Sequence, residues 1–269
     1  ILAQQLERDA DTSLEFDVFP YIKKCAIDII CESAMGYQLN AQTGGSFEYV
    51  EGVVKLSDLV WDNIRFPWNW LPLIWYGTGV GFRFDRLVKK SNGFTIDIIK
   101  ERRVALEEEG LLGDNVSEEV VKKQKRLIFL DLLLMMQKAN ALTDEDIREE
   151  VDTFMFEVGH DTTASGMGFA IWLIGQYPEY QQKIHDELDA VFGDSDREPT
   201  EADMKKLVWL EWSIKEALRL YPSVSLIARK LTEDLKLNDY VFPKNLSVAI
   251  APVVSHRHPV NTFVHCNNA

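Results

Sequence analysis

At 269 residues the chain has the length of one large domain or two small ones. It is 46% hydrophobic and 27% charged, the balance of a folded globular protein and not of a disordered one. Its net charge of −14 argues against nucleic acid as a partner, because nothing would offset repulsion from the phosphates.

The cysteines are Cys25, Cys31 and Cys266, with no Cys-x-x-Cys pair. An odd number in that arrangement indicates neither a disulfide framework nor a zinc site, and a reducing compartment is the simpler reading. No run of 18 apolar residues occurs, so no segment reads as a membrane-spanning helix. The chain starts at Ile1 without a signal-peptide pattern and is expected to be a fragment.

In chain order, Phe19 to Tyr37 carries apolar residues at helical spacing and is stopped by Gly36. Phe47 to Val60 is a second helix candidate. Trp61 to Trp75 holds four of the seven tryptophans together with Pro67 and Pro72, which break helix and strand alike. Two readings stand for it: a satellite core under a loop, or an apolar mouth that admits substrate or touches a membrane. Phe82 to Glu109 reads as a long helix, Gly110 to Lys125 as an exposed polar loop, and Leu127 to Met136 as a short apolar helix. The triplets at Asn115 and Asn245 match the glycosylation pattern but have no secretory context, and are read as chance.

Thr143 to Tyr177 reads as one long central helix, capped by Thr143 with acids in its first turn and ended by Pro178. Its first half has one apolar stripe, Ile147, Val151, Phe154 and Val158. From Gly166 to Ile174 it is apolar all round, which predicts entry into the core. Between the halves, Gly159-His160-Asp161-Thr162-Thr163 are all poor helix formers, so a kink or an inserted ligand is expected there. Taken alone, Asp161 and Thr162 would be a satisfied polar patch. Pro178 starts another helix to Phe192, Pro199 to Glu201 restarts one, and Leu207 to Leu220 follows with Glu216 and Arg219 on one face, a surface ion pair if read alone. Leu226 to Leu231, Leu235 to Leu237, Tyr240 to Phe242 and Leu246 to Val254 read as short strands, with a turn at Asn238-Asp239. His256, Arg257 and His258 read as a solvated loop, since no third ligand is near to make a metal site.

In this order the motifs resemble the cytochrome P450 family, and its family 4 branch in particular. Thr153-Phe154-Met155-Phe156-Glu157 with Gly159-His160-Asp161-Thr162-Thr163 resembles the central helix that crosses the haem. Lys215-Glu216-Ala217-Leu218-Arg219 with Leu220-Tyr221-Pro222-Ser223-Val224 resembles the Glu-x-x-Arg helix and its exit. His256-Arg257 before Pro259, and the upstream Phe16-Asp17-Val18-Phe19-Pro20 and Cys25 to Glu32, are similar as well.

The resemblance implies a mainly α fold: a cytochrome P450-like helical body with small β-sheets near the C-terminal end, here one partial domain over 1–269 truncated at both ends. It implies haem, with NADPH acting indirectly through NADPH-cytochrome P450 reductase. It also implies terminal hydroxylation of a small apolar substrate such as a fatty acid, and a membrane for the full-length protein, at the cytoplasmic face of the endoplasmic reticulum. By resemblance Asp161 and Thr162 relay protons during oxygen activation, a general-acid task. Gly159 gives room at the kinked helix, Arg229 binds a haem propionate, and Glu157 matches a glutamate that in many family 4 members bonds to a haem methyl. Glu216 and Arg219 would be structural.

Three departures stand out. Val158 separates Glu157 from Gly159, which the family pattern makes adjacent. Ser225 and Ala228 stand where Pro and Gly are usual. The sequence ends before the loop that presents the axial thiolate, and Cys266 lacks its glycine and arginine setting, so no metal ligand is assigned and the chain by itself is expected to be inactive. One extra residue turns a helix by about 100°. A π-bulge or kink between about Phe154 and Thr162 is therefore expected, leaving Asp161 and Thr162 in place and displacing Glu157 from its haem link. The rival reading is a truncated relic or interaction protein without haem or catalysis.

Overall fold

The computed structural model describes residues 1–10, 15–45, 47–112, 127–138, 141–158, 161–195 and 197–259, with the backbone alone at 47, 48, 157 and 158. The expected loop to Lys125 and the triplet at Asn115 lie mostly or wholly outside the described residues. The chain divides into two compact units, Ile1–Asp161 and Thr162–Ala269.

Among the described residues the first unit has helices and no strands. After α1 (Leu2–Ala10), α2 (Phe19–Ile30) starts with Pro20 in its first turn, where a missing N–H costs nothing. It buries Ile22, Ala26 and Ile27 along one stripe and runs into a π-helical segment, Cys31–Met35. Gly36 ends it in the left-handed region at φ 66°, as expected of a glycine stop, and a side chain there would strike Ile128. The Asp28 carboxylate accepts from the backbone N–H groups of Ala41 (2.7 Å) and Gln42 (3.0 Å), fixing the turn that follows.

Next come α3 (Phe47–Arg65), a 3-10 turn (Pro67–Trp70), α4 (Pro72–Gly77) and α5 (Val80–Glu108). The stretch Trp61 to Trp75 is therefore no loop over a satellite core. Helix continues to Arg65, and the two prolines each open a new turn. Leu73 is 89% exposed, and Trp61, Trp68, Trp70 and Leu71 are all exposed, while Phe66 and Trp75 are half-buried, Trp75 against Phe84.

α6 (Phe129–Lys138) and α7 (Asp144–Thr153) complete the unit. Thr143 caps α7 in a capping box: it accepts from the Asp146 N–H, and the Asp146 carboxylate accepts in return. Beyond Thr153 the backbone widens into a second π-helical segment, Phe154–Val158. The core gathers Ile27, Cys31, Met35, Ile98, Leu106, Leu130, Leu134, Ile147, Val151 and Met155. An ion pair locks α5 to α6: Arg102 Nε and Nη2 reach the Asp131 carboxylate at 2.7 and 3.0 Å, and Asp131 is only 2% exposed.

α8 (Asp161–Gln176) starts at the last residue of the first unit and continues into the second, which also holds α9 (Pro178–Phe192), α10 (Glu201–Met204), capped by Thr200, and α11 (Val208–Leu220). The Glu187 carboxylate of α9 accepts from the N–H groups of Trp209 (2.9 Å) and Leu210 (3.2 Å), supplying the cap that α11 lacks in its own sequence. Phe169 of α8 stacks on Tyr221 at 4.9 Å. The apolar half of α8 is less enclosed than its composition predicts: Phe169, Ile171 and Trp172 stay exposed, and the buried residues of α8 are Ala164 and Ala170.

Four short strands follow: β1 (Ile227–Lys230), β2 (Leu235–Leu237), β3 (Tyr240–Phe242) and β4 (Ser247–Ile250). β1 pairs antiparallel with β4, setting Arg229 opposite Val248, and β2 pairs with β3 across Asn238, whose φ of 53° makes the expected turn. The expected strand to Val254 stops early. Pro252 has no N–H to give a ladder and instead opens the helical turn α12 (Pro252–Ser255).

Candidate active site

An acid and an alcohol sit side by side at 161 and 162, in the first turn of α8. Asp161 meets a cation. Its Oδ1 lies 2.6 Å from Lys23 Nζ of α2, and the two side chains are 35% and 19% exposed. The Lys23 ammonium stands 4.9 Å from the centre of the Phe19 ring, one turn earlier on α2.

The π-helical segment just upstream matches the expected bulge between Phe154 and Thr162. Phe154 stacks on Phe129 at 4.5 Å, and the Met155 sulfur accepts from the Cys31 thiol at 3.9 Å. Glu157 lies in this segment, with its side chain outside the described residues; Gly159 lies outside them altogether. The single helix expected over 143–177 is described as α7, the π-helical segment and α8.

Glu216 and Arg219 form more than a surface pair. Arg219 Nε and Nη2 each donate to the Glu216 carboxylate at 2.7 Å, while Nη1 donates to the His256 carbonyl at 2.8 Å. Arg257 in turn donates to the Leu220 carbonyl and faces the Tyr221 ring. The end of α11 is thus tied to the segment after α12: His256 and Arg257 lie in a solvent-exposed loop, as expected, and also contribute to this clamp.

Arg229 sits on β1 with an exposed guanidinium that donates to the Ala228 carbonyl at 2.8 Å. Such a group suits a carboxylate such as a haem propionate. The axial bond is another matter. Burial, then Asp28, pushes the Cys31 thiol up to about 12, and its S–H donates to the Met155 sulfur, so it is no thiolate donor. Cys25 is half-buried and also shifted upward, chiefly by burial, and Cys266 lies outside the described residues. Among the described residues Arg229 thus offers a cation to a carboxylate, and no axial ligand is assigned. The described residues hold no group of three or more His, Cys, Asp or Glu that could bind a metal ion.

Sequence reading missed Lys23 and the Cys31–Met155 contact. Both depend on α2 lying against residues far along the chain, and no local pattern announces that.

Residues 1–260 match the family model described as Cytochrome P450. Cytochrome P450 4V2 of Homo sapiens is 43% identical over 262 residues, covering 96% of this chain and 49% of that protein. Cytochrome P450 4c3 of Drosophila melanogaster is 38% identical over 272 residues, covering 96% and 50%. Cytochrome P450 4c21 of Blattella germanica is 37% identical over 260 residues, covering 96% and 51%. The chain spans about half the length of the curated relatives it matches.

Proposed function

The chain belongs to the cytochrome P450 family, with family 4 members among its relatives, and on that premise we propose that it serves a haem-dependent monooxygenase acting on a long apolar substrate such as a fatty acid. The observation that carries this reading is the acid–alcohol pair Asp161–Thr162 on α8, three residues beyond the end of a π-helical segment. Haem, when bound, supplies the activation of dioxygen. Asp161 takes a proton from solvent at its carboxylate and passes it on, and the Thr162 hydroxyl holds the donor chain in line. Arg229 holds a propionate, and Gly159 leaves room beside the helix. The Glu216–Arg219 clamp keeps the end of α11 and the His256 carbonyl in register. Electrons come from NADPH through NADPH-cytochrome P450 reductase. The family match runs through both units, which supports reading them as parts of one domain.

The exposed aromatic stretch from Trp61 to Phe82 supports a membrane partner, and with it the cytoplasmic face of the endoplasmic reticulum. Among the described residues no helix is long and apolar enough to cross a membrane. Glu157 falls within the π-helical segment, and the haem is expected to leave on acid–solvent extraction, without a covalent link; haem retained by the protein would overturn that. The deciding experiment is Thr162→Ala in the haem-loaded enzyme. Peroxide released per NADPH consumed should rise several-fold, whereas an unchanged ratio would make Thr162 an ordinary helix residue and remove the main support for this function.

A further inference from the structure

α2 and its π-helical continuation touch the stretch leading into α8 at two points. Lys23 meets Asp161 at 2.6 Å, and eight positions further along, Cys31 meets Met155 at 3.9 Å. The two contacts run in opposite chain directions, so Lys23 to Cys31 runs antiparallel to the order of Met155 and Asp161. Between Met155 and Asp161 the chain carries the rest of the second π-helical segment and then Gly159, a weak helix former. A carboxylate in the first turn of a helix has several staggered side-chain conformations open to it. A cation fixed from outside selects one of them. Lys23 is itself held, since its ammonium lies over the Phe19 ring while its stem packs along a half-buried face of α2.

We propose that Lys23 is a positioning residue that sets the direction of the Asp161 carboxylate, with the Cys31–Met155 contact fixing the far end of the same strap. This rests on the reading of Asp161 as a proton-relay acid. Lys23 touches no reacting atom in this scheme and acts only through Asp161. A lysine suits the task because its ammonium is a compact charge on a flexible stem that can reach a carboxylate across elements.

The test has two parts. In the 269-residue chain without haem, urea unfolding is measured for Lys23→Met, Asp161→Asn and the double variant. The double variant should shift the midpoint no further than the more damaging single one; additive shifts would overturn the pairing. In the haem-loaded enzyme, Lys23→Met should raise peroxide released per NADPH several-fold while leaving the KM for substrate unchanged. Lys23→Arg should restore most of the coupling, and Lys23→Met should add nothing in the Asp161→Asn background. If Thr162→Ala raises the peroxide ratio and Lys23→Met does not, the inference about Lys23 is overturned and the proposed function stands. If neither variant moves the ratio, the proposed function itself fails and takes this inference with it.

Discussion

Folding changes the protonation of two side chains in opposite senses. Burial, then the nearby Asp28 charge, pushes the Cys31 thiol from its ordinary value of 9.0 up to about 12. The folded chain keeps this proton where the unfolded chain gives it up, so the contribution is complete below about pH 9 and is lost as pH climbs toward 12. At pH 8 an alkylating reagent should therefore modify Cys25 and spare Cys31 until urea unfolds the chain, as read by residue-resolved mass spectrometry; equal rates would contradict the buried thiol–thioether contact. Asp203 goes the other way. Arg197, then the Thr200 hydroxyl and N–H, hold its carboxyl well below the usual carboxylate range. That contribution is present above the ordinary value of 3.8 and is lost as pH falls below it. Asp203→Asn should flatten the fall of the urea midpoint between about pH 4 and pH 2. At this scale the sequence is a partial guide. Asp161 and Thr162 stand out because an acid and an alcohol in mid-helix demand a reason. Lys23 does not, because a lysine on an amphipathic helix is ordinary until its distant partner is known.

Elements were legible where one local rule governs them. Thr143 as a cap, Gly36 as a stop, Pro178 as a first helical residue and the Asn238 turn all follow from backbone chemistry within four residues. The π-helical segment Phe154–Val158 was legible from an excess of one residue beside weak helix formers. The segment Cys31–Met35 was not, because nothing in its composition departs from an ordinary amphipathic helix. Its wide turn places Cys31 on Met155, a requirement of tertiary packing. The same reasoning predicts the effect of deleting Val158. Because the wide turn absorbs the extra residue, deleting Val158 should let the segment close as regular α-helix with the flanking positions still in phase, so Cys31–Met155 and Lys23–Asp161 should both survive. The shortened chain should keep its urea stability within about 0.5 kcal/mol and keep Cys31 protected from alkylation; a Cys31 opened to the reagent would mean that the wide turn does not absorb the residue. The α5–α6 lock gives a second expectation. Asp131→Ala leaves Arg102 with its charge and no bidentate acceptor, and should cost about 3 kcal/mol, the lower end for a broken buried pair because Arg102 is partly exposed.

For the whole molecule, the least expected feature is how much apolar surface stays outside. A composition of 46% hydrophobic residues predicts a core, and the first unit has one, yet its Trp61 to Phe82 stretch turns Trp61, Trp68, Trp70, Leu71, Leu73 and Phe82 outward. Composition could not separate a hidden cluster from a presented one, because both are built of the same residues; what differs is whether other elements fold over them. The outward cluster is also held firmly. Phe66 stacks on Trp68, Trp70 donates its indole N–H to the Asn63 carbonyl at 2.9 Å, and Tyr76 meets Phe82 edge-on. With the Trp70 N–H satisfied within the segment and its apolar faces outward, the cluster is suited to a lipid interface. On the proposed membrane reading, the net charge of −14 predicts a contact that rests on apolar burial and not on attraction to anionic headgroups. The chain should float with zwitterionic phosphatidylcholine vesicles, and added salt should not release it. Leu73 is the most exposed member, and burying it is worth about 1.5 kcal/mol or more, so Leu73→Ser should weaken partitioning roughly 10-fold without moving the urea midpoint. Flotation that vanishes in salt, or that survives both Leu73→Ser and Trp68→Ser unchanged, would show that this face does not meet the membrane.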